Sequence, residues 1–287
     1  MTPPPFAVLV GDMQATLLVE RLVGYESNAG PRRRMFEELR ALAAPFMLFM
    51  GDMVCAPWAR EWELIGPLVN ALKSQGTVVR AALGNHDIMF QPSSGLRRLR
   101  AEELIPAQGD IWTSYDREGV RFCVIDTNPY ALAKLRLDAQ RRWLEAELMN
   151  ADSDPSISHV VVVGHHPPFT NARLPLAAER GIHELVRVFD QGRKAQLWMS
   201  GHVHAYERFL VGGKHFVVAG SAGAPRVQLR TGAQQKKQSA MQLRTPAPFL
   251  WTELRLLPSG DLACNVRGFQ RIDAEVRSWD QWTIAVR

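Results

Sequence analysis

Five short apolar segments of this chain each end in a glycine that is followed at once by a carboxylate, amide or imidazole side chain. The five junctions are Gly11-Asp12, Gly51-Asp52, Gly84-Asn85, Gly164-His165 and Gly201-His202. Segments of this length and apolarity are typical of buried strands in a parallel sheet. In an open α/β sheet, the side chains that follow the carboxyl ends of the strands meet in one crevice. The pattern therefore predicts an α/β fold in which residues scattered over most of the chain form one site.

Helical periodicity between these segments supports the same fold class. Apolar residues recur with helical spacing in 32–42, in 62–72 and in 139–148, and each stretch is predicted to be a helix. Strands are predicted at 6–10, 46–50, 78–83 and 160–163, and hairpins at 111–126 and 249–267. A repeated order of strand, polar junction and helix is that of the βαβ units from which a parallel sheet is built.

The side chains at and beside these junctions are suitable ligands for a metal ion. They comprise two carboxylates, two amides and three histidines, namely Asp12, Asp52, Gln14, Asn85, His165, His202 and His204. Oxygen-rich sites with some imidazole suit Mn, Fe or Zn. Two divalent cations held by two carboxylates leave an excess of about two positive charges, which attracts a phosphate group and activates water. The residues therefore indicate hydrolysis of a phosphoester at two metal ions that lie about 3.5–4 Å apart.

The same residues, in the same order, resemble a known family. The ordered set Asp12/Gln14, Asp52, Asn85-His86-Asp87, His165-x-Pro167 and His202-x-His204 is similar to the motifs of the calcineurin-like metallophosphoesterase superfamily. The resemblance extends from about Phe6 to Arg208, and the run 201–208 is especially similar to the purple acid phosphatase branch. It implies one domain over residues 1–287, folded as a four-layer α-β-β-α sandwich of two mixed β-sheets flanked by helices.

The resemblance implies that seven side chains hold two divalent or trivalent metal ions. The implied ligands of the first metal are Asp12, Gln14, Asp52 and His204. The implied ligands of the second metal are Asp52, Asn85, His165 and His202, so that Asp52 bridges the two ions. Of the adjacent pair His165-His166, the first histidine is taken as the ligand because the family pattern is His-x-Pro, and His166 is left beside the substrate.

Two further residues have implied catalytic roles. His86 would contact the phosphoryl oxygens or protonate the leaving group, and Asp87 would hold His86 in orientation. The implied reaction is the attack of a metal-bridging hydroxide on a small phosphate monoester or diester. The ligands alone do not decide between monoester and diester, because the loops around the pocket make that choice.

Two positions depart from the family pattern. Most members have histidine where this chain has Gln14, and the purple acid phosphatases supply a tyrosine three residues after the bridging aspartate, where this chain has Cys55. An amide oxygen is a weaker ligand than imidazole, so we expect the first metal to bind less tightly than the second. Cys55 is an alternative ligand as a thiolate, although a buried cysteine usually acts as a small hydrophobic side chain.

The composition of the chain indicates which classes of substrate and partner it can bind. The formal net charge of +5 and the isoelectric point near 9.4 suit an anionic substrate, and they permit a nucleic acid without favouring one. The three cysteines include no CxxC pair, which indicates a reducing compartment. No stretch approaches the ~20 apolar residues of a membrane span. We therefore expect a cytoplasmic protein, and the sequence leaves its oligomeric state open.

Two other functions are compatible with the same motifs. Gln14 invites the hypothesis of a non-catalytic metal-binding scaffold on the same fold, whereas the intact Asn85-His86-Asp87 triplet argues against it. A nuclease that uses the same metals is the other alternative, and its affinity for DNA would depend steeply on salt. The polar segment 226–248 has no apolar periodicity and is predicted to be a mobile surface loop.

Overall fold

Thirteen strands provide the framework of the structure, a computed structural model that describes residues 4–22, 24–129, 134–173, 180–244 and 246–287. In chain order these strands are β1 (Ala7–Val10), β2 (Phe46–Phe49), β3 (Val78–Ala81), β4 (Thr113–Arg117), β5 (Val120–Val124), β6 (His159–Gly164), β7 (Ala195–Ser200), β8 (Tyr206–Val211), β9 (Lys214–Ala219), β10 (Met241–Gln242), β11 (Phe249–Leu256), β12 (Leu262–Phe269) and β13 (Arg277–Ile284).

Helices connect many of these strands. They are α1 (Leu18–Leu22), α2 (Ala29–Leu42), α3 (Ala59–Ser74), α4 (Pro92–Ala101), α5 (Lys134–Ser153) and α6 (Arg180–Gln191), with short 3₁₀ turns at His86–Ile88 and Gly232–Gln234. The predicted helices at 32–42, 62–72 and 139–148 lie inside α2, α3 and α5, because the apolar periodicity marks only the buried stripe of each helix.

The strands pair into two mixed sheets. The first has the order β13-β12-β11-β1-β2-β3, and the second has the order β10-β8-β9-β7-β6-β5-β4. Strands β1, β2 and β3 are parallel, as are β5, β6, β7 and β9, whereas the hairpin strands at the sheet edges are antiparallel. Five of these parallel strands, β1, β2, β3, β6 and β7, precede the polar junctions of the sequence, as expected for βαβ units.

Three apolar cores separate four layers. In the middle layer of packing, Leu9 and Leu48 of the first sheet contact the same core as Val161 and Met199 of the second. The opposite face of the first sheet packs against α2, α3 and α4, and the opposite face of the second sheet packs against α5 and α6. The alternation of side chains along each strand supplies both faces. The predicted α-β-β-α sandwich of two mixed sheets is confirmed.

The elements that were not predicted include α4, α6, β8, β9 and the edge strand β13. Strand β13 pairs along its length with β12, yet most of its residues are exposed or half-buried. Its sequence therefore has no apolar run to mark it. The segment 226–248 contains a 3₁₀ turn and the two-residue strand β10, and its predicted mobility stays a prediction. Within the described ranges, no helix is long and apolar enough to cross a membrane.

Candidate metal centre

The five glycine junctions lie just beyond the carboxyl ends of β1, β2, β3, β6 and β7. Contacts within hydrogen-bonding range connect their side chains across both sheets. The nine predicted site residues that this arrangement brings to one edge of the sandwich are Asp12, Gln14, Asp52, Asn85, His86, Asp87, His165, His202 and His204. The convergence predicted from the strand ends is therefore present in the fold.

Strained backbone positions the ligand side chains. Asp12, Asp52 and His202 have φ values of 59°, 53° and 65°, in the left-handed region that costs roughly 1–2 kcal/mol for a residue with a Cβ atom. Residues in such conformations are concentrated at functional sites, where the surrounding structure compensates for the strain. Gly84 is required for a different reason, because a Cβ atom there would lie 2.1 Å from the Asp52 amide nitrogen.

The first group of ligands is formed by Asp12, Gln14 and His204. His204 donates from Nδ1 to the Pro225 carbonyl at 2.7 Å, so Nε2 is the nitrogen that faces the centre. This Nε2 lies 3.5 Å from Asp12 Oδ1 and 3.4 Å from the Gln14 side-chain amide nitrogen. Gln14 is buried, and its Oε1 has no hydrogen-bond partner among the described residues. A half-turn of this amide presents that oxygen to a cation beside Asp12 and His204.

The second group of ligands surrounds His165. Its Nδ1 donates to the Met50 carbonyl at 2.8 Å, so Nε2 is the nitrogen that faces the centre. This Nε2 lies 3.2 Å from Asp52 Oδ2 and 3.0 Å from Asn85 Oδ1, and His202 Nδ1 is 3.3 Å away. The oxygen atoms are acceptors, so their convergence on Nε2 requires a positive charge, which is a proton on His165 in the metal-free protein or a metal ion in its place. The donor set therefore fits a metal ion.

The two groups adjoin one another. Ligand atoms of Asp12, Asp52 and His165 all lie within 4.8 Å of each other, and each of these residues is buried. Asp12 and Asp52 therefore connect the two groups, and the bridging role of Asp52 stays a prediction. His165, His166 and His202 form a second such cluster with the same limit on distance.

Electrostatics at the centre favours positive charge. Burial alone would raise the pKa of Asp52, but the adjacent His165 and His86 hold it below its ordinary value. Burial would likewise lower the pKa of His165, whereas the Asp52 carboxylate raises it to about 9. The pKa of Asp12 is raised chiefly by burial. In the absence of a metal, a proton on His165 thus supplies the charge that buried carboxylates require.

The hydrogen-bond partners of Asp87 and His86 differ from the predicted contact between the two side chains. The Asp87 carboxylate accepts backbone N–H groups of Gly84, Asp52 and Met53 at 2.9–3.0 Å, and burial raises its pKa to about 7. His86 instead has its Nδ1 2.9 Å from the Cys55 carbonyl oxygen, to which it donates. The prediction that Asp87 orients the His86 ring was wrong, because three backbone donors already occupy the carboxylate. Asp87 instead ties the Asp52 and Asn85 junctions together.

Cys55 lies next to the centre, but its side chain is a neutral thiol. Its side chain is buried, and burial together with the nearby Glu61 carboxylate raises the pKa of its thiol to about 12. The thiol is therefore protonated at neutral pH without a metal, and among the described residues Cys55 belongs to neither cluster of candidate ligand atoms. The geometry supports Gln14, rather than Cys55, as the fourth ligand of the first group.

Thr127 is a site residue that the sequence analysis missed. It follows β5, and its Oγ1 accepts the backbone N–H of His166 at 2.9 Å while lying 3.0 Å from His166 Nδ1. This contact is compatible with a hydroxyl hydrogen donated to Nδ1, because Oγ1 has one donor and two acceptor sites. We infer this direction, in which a neutral His166 has its proton on Nε2. The signal was available, since Asp126-Thr127-Asn128 is another polar triplet at a strand end.

A buried ion pair supports the strand that follows His204. Tyr206 donates its hydroxyl to Asp280 Oδ2 at 2.7 Å, and Arg208 pairs with both oxygens of Asp280 at 2.7 and 3.1 Å. Asp280 lies on β13, an edge strand of the first sheet, so these contacts connect β13 to β8 of the second sheet. Nothing in the sequence pointed to Asp280 as the partner of Tyr206 and Arg208.

Comparison with known proteins agrees with this geometry. Purple acid phosphatase 22 of Arabidopsis thaliana is 28% identical over 171 residues, which cover 56% of this chain and 38% of that protein. The structure of purple acid phosphatase PPD1 from yellow lupin (Lupinus luteus) seeds has a TM-score of 0.75 at 17% identity and covers 99% of this chain and 54% of the lupin chain. A dimetal phosphatase from Danio rerio has a TM-score of 0.62 at 12% identity, with 99% and 100% of the two chains covered.

The structural likenesses establish the fold, and the two plant proteins are longer than the part that this chain matches. The chain spans about half of the lupin enzyme and well under two thirds of the curated relatives that it matches. Residues 7–206, more than half of the chain, match the family model of the calcineurin-like phosphoesterases. The resemblance inferred from the five junctions is thereby confirmed, and the chain belongs to the calcineurin-like phosphoesterase family, with purple acid phosphatases among its neighbours in sequence and structure.

Proposed function

We propose that this protein hydrolyses a phosphate monoester or diester with two metal ions bound at the candidate centre. One observation supports the proposal most directly: His165 Nε2 lies within 3.2 Å of both Asp52 Oδ2 and Asn85 Oδ1, so one nitrogen and two oxygen ligands share a point that a metal ion can occupy in place of the His165 proton. The adjoining group of Asp12, His204 and the unpartnered Gln14 oxygen supports a second cation. The dimetal centre named for the Danio rerio phosphatase is in keeping with this number.

The residues of the site would have different roles in this reaction. Seven side chains would hold the ions, namely Asp12, Gln14, Asp52, Asn85, His165, His202 and His204. When bound, the two cations would polarise the phosphoryl group and generate the nucleophile from water at neutral pH. His86, half-buried beside Asp52 and held by the Cys55 carbonyl, would donate a proton or hydrogen bond to the leaving group. His166 Nε2 would donate to a phosphoryl oxygen.

Parallel assays of a monoaryl and a bisaryl phosphate would test the proposed function. The purified protein is stripped with a chelator and then supplied with Mn, Fe, Zn or Mg in turn. We expect hydrolysis of at least one ester, which is lost on chelation and restored by Mn, Fe or Zn better than by Mg. Stoichiometric metal binding without turnover of either ester would instead indicate a scaffold. Turnover confined to DNA, with binding that falls steeply with salt, would indicate a nuclease.

Metal titration of the stripped protein is expected to resolve two unequal sites. Gln14 contributes a neutral amide oxygen where imidazole would bind more strongly, so the weaker site should be that of Asp12 and His204. We expect Gln14→His to tighten the weaker site about tenfold, equivalent to about 1.4 kcal/mol, and to leave the tighter site unchanged. Isothermal titration calorimetry with Mn measures both constants. Two equally tight sites in the wild-type protein would contradict the expected weakness of Gln14.

The role of Thr127 is tested by a matched pair of substitutions. Thr127→Val keeps the buried volume but removes the hydroxyl that fixes the His166 tautomer, whereas Thr127→Ser keeps the hydroxyl. We expect the valine variant to lower kcat/KM up to about tenfold, the value of one lost hydrogen bond, while the serine variant stays near the wild type. Metal content should be unchanged in both. Loss of metal in the valine variant would make His166 a ligand and would refute its role as a substrate donor.

A further inference from the structure

Two loops at the same edge of the sandwich as the metal centre pair with each other. One, residues 166–173, leaves β6 directly after His165, and the other, residues 220–230, leaves β9. Ala172 and Leu229 form an isolated antiparallel bridge. Arg230 donates its backbone N–H to the Asn171 carbonyl at 2.8 Å, and the Arg173 backbone N–H donates to Gln228 at 3.2 Å. The paired loops therefore form one continuous wall.

This wall is attached to the metal centre through His204. The Pro225 carbonyl accepts from His204 Nδ1 at 2.7 Å, and the Val227 backbone N–H donates to the His204 carbonyl at 3.1 Å. Arg230 lies three residues beyond Val227, so an extended backbone separates the two by at most about 10 Å. A substrate that reaches the ligands of the first group therefore has the wall beside it.

A buried asparagine fixes two lysines on the same wall. Asn171 is fully buried, and its Oδ1 accepts the backbone N–H groups of Lys236 and Lys237 at 2.8 and 3.1 Å. Its Nδ2 donates to the Lys237 carbonyl at 2.9 Å. The Lys237 ammonium lies 4.3 Å from the centre of the Phe169 ring, on the loop that leaves β6. We call the four cationic residues of this wall the basic surface; they are Arg173, Arg230, Lys236 and Lys237.

The four cations of the basic surface make no close ion pair in the described part of the chain, although Lys236 is near enough to Glu207 to act against the burial that raises the pKa of that carboxyl. None of them forms an ion pair within 4.0 Å there, whereas the neighbouring Arg226 pairs with Glu26 at 2.6 Å. The nearby Glu207 is buried, with its carboxylate occupied by Thr170 and by the Asn171 backbone. Arg230 Nε is itself buried without a hydrogen-bond acceptor. A buried guanidinium donor without an acceptor is stabilised when an anion binds.

We propose that the basic surface binds a second anionic group of the substrate, so that the substrate class is a phosphoester whose leaving group carries a further phosphate or carboxylate. This inference rests on the proposed function for the position of the first phosphate. The loops that carry the four cations are hydrogen-bonded to each other and to His204 of the metal centre, so the cations and the centre would hold the two ends of one molecule. An ester without the second anion would bind through the metal centre alone.

The spacing of the two subsites is measured with α,ω-alkylene bisphosphonates of increasing length, each compared with the alkyl monophosphonate of the same chain length. Calorimetry with the Mn-loaded protein should give a bisphosphonate affinity about tenfold above that of its monophosphonate at one best length. Arg230→Gln and the double variant Lys236→Gln/Lys237→Gln should reduce that ratio towards one. Arg142→Gln, an exposed arginine on α5, should leave the ratio unchanged.

The outcomes separate the two proposals. A ratio near one at every length in the wild-type protein, or a ratio that Arg230→Gln does not alter, overturns the second subsite. Hydrolysis of aryl phosphates measured on the same samples tests the proposed function independently. An Arg230-dependent ratio without any hydrolysis would support the anion subsite and refute the esterase, and hydrolysis with a ratio near one would do the reverse.

Discussion

Replacing Asp52 with asparagine is expected to lower kcat/KM for an aryl phosphate by at least about 10³-fold, the upper end of what the loss of one electrostatic group costs an enzyme. The Asp52 carboxylate lies 3.2 Å from His165 Nε2, and it is within 4.8 Å of ligand atoms of both Asp12 and His165. Both Asp12 and Asp52 adjoin the two groups, and Asp52 is the one that we propose as the bridging ligand. Its loss should weaken both metal sites together, because a neutral amide replaces the shared negative charge.

Metal content distinguishes this explanation from a folding defect. Asparagine has the same shape as aspartate, and its Oδ1 can still accept the His86 backbone N–H, so we expect the variant to fold. Elemental analysis after dialysis should find less metal than in the wild-type protein, and a large excess of Mn should restore part of the activity. Asp138→Asn, a change on the outer face of α5, should behave as the wild type. An Asp52→Asn variant with full metal content and full activity would refute the bridging role.

Much of the fold was predictable because apolar strands and ligand residues coincide in this sequence. The carboxyl ends of β1, β2, β3, β6 and β7 were each marked by a glycine before a polar ligand, and the sterics of the fold explain these glycines. A Cβ atom on Gly201 would lie 2.3 Å from the Asp12 carboxylate, so the close approach of the junctions requires glycine. The same steric constraint therefore places a glycine before the polar residue at several separate positions of the chain.

The parts that were not predictable depend on contacts that carry no local pattern. Asp280 is a charged residue on a half-exposed edge strand, and only the pairing of β13 with β12 brings it to Tyr206 and Arg208. The binding of Asp87 to backbone N–H groups depends on how two junctions approach each other across β2 and β3. The spacing of residues in the sequence indicates which of them follow strands. It does not indicate which hydrogen-bond donor each carboxylate contacts in the fold.

His86 is the remaining residue with a large expected effect, and the leaving group of the substrate determines how large. The His86 backbone N–H donates to Asp52 Oδ1 at 2.8 Å and its Nδ1 lies 2.9 Å from the Cys55 carbonyl, so the ring is fixed beside the proposed bridging ligand. His86→Ala is expected to lower kcat about 10²–10⁴-fold for an alkyl phosphate, the range that a positioned general acid contributes. The loss should be much smaller for 4-nitrophenyl phosphate, because nitrophenolate leaves without a proton.

Three measurements together identify this role. Metal content of His86→Ala should equal that of the wild-type protein, since the acceptors that converge on the centre do not include the His86 ring. The substitution His183→Ala, at an exposed position on α6, should leave kcat unchanged for both esters. A plot of log kcat against leaving-group pKa should become steeper in His86→Ala, because the departing oxygen then carries more negative charge. Full kcat on the alkyl ester, or an equal loss on both esters, would refute proton donation by His86.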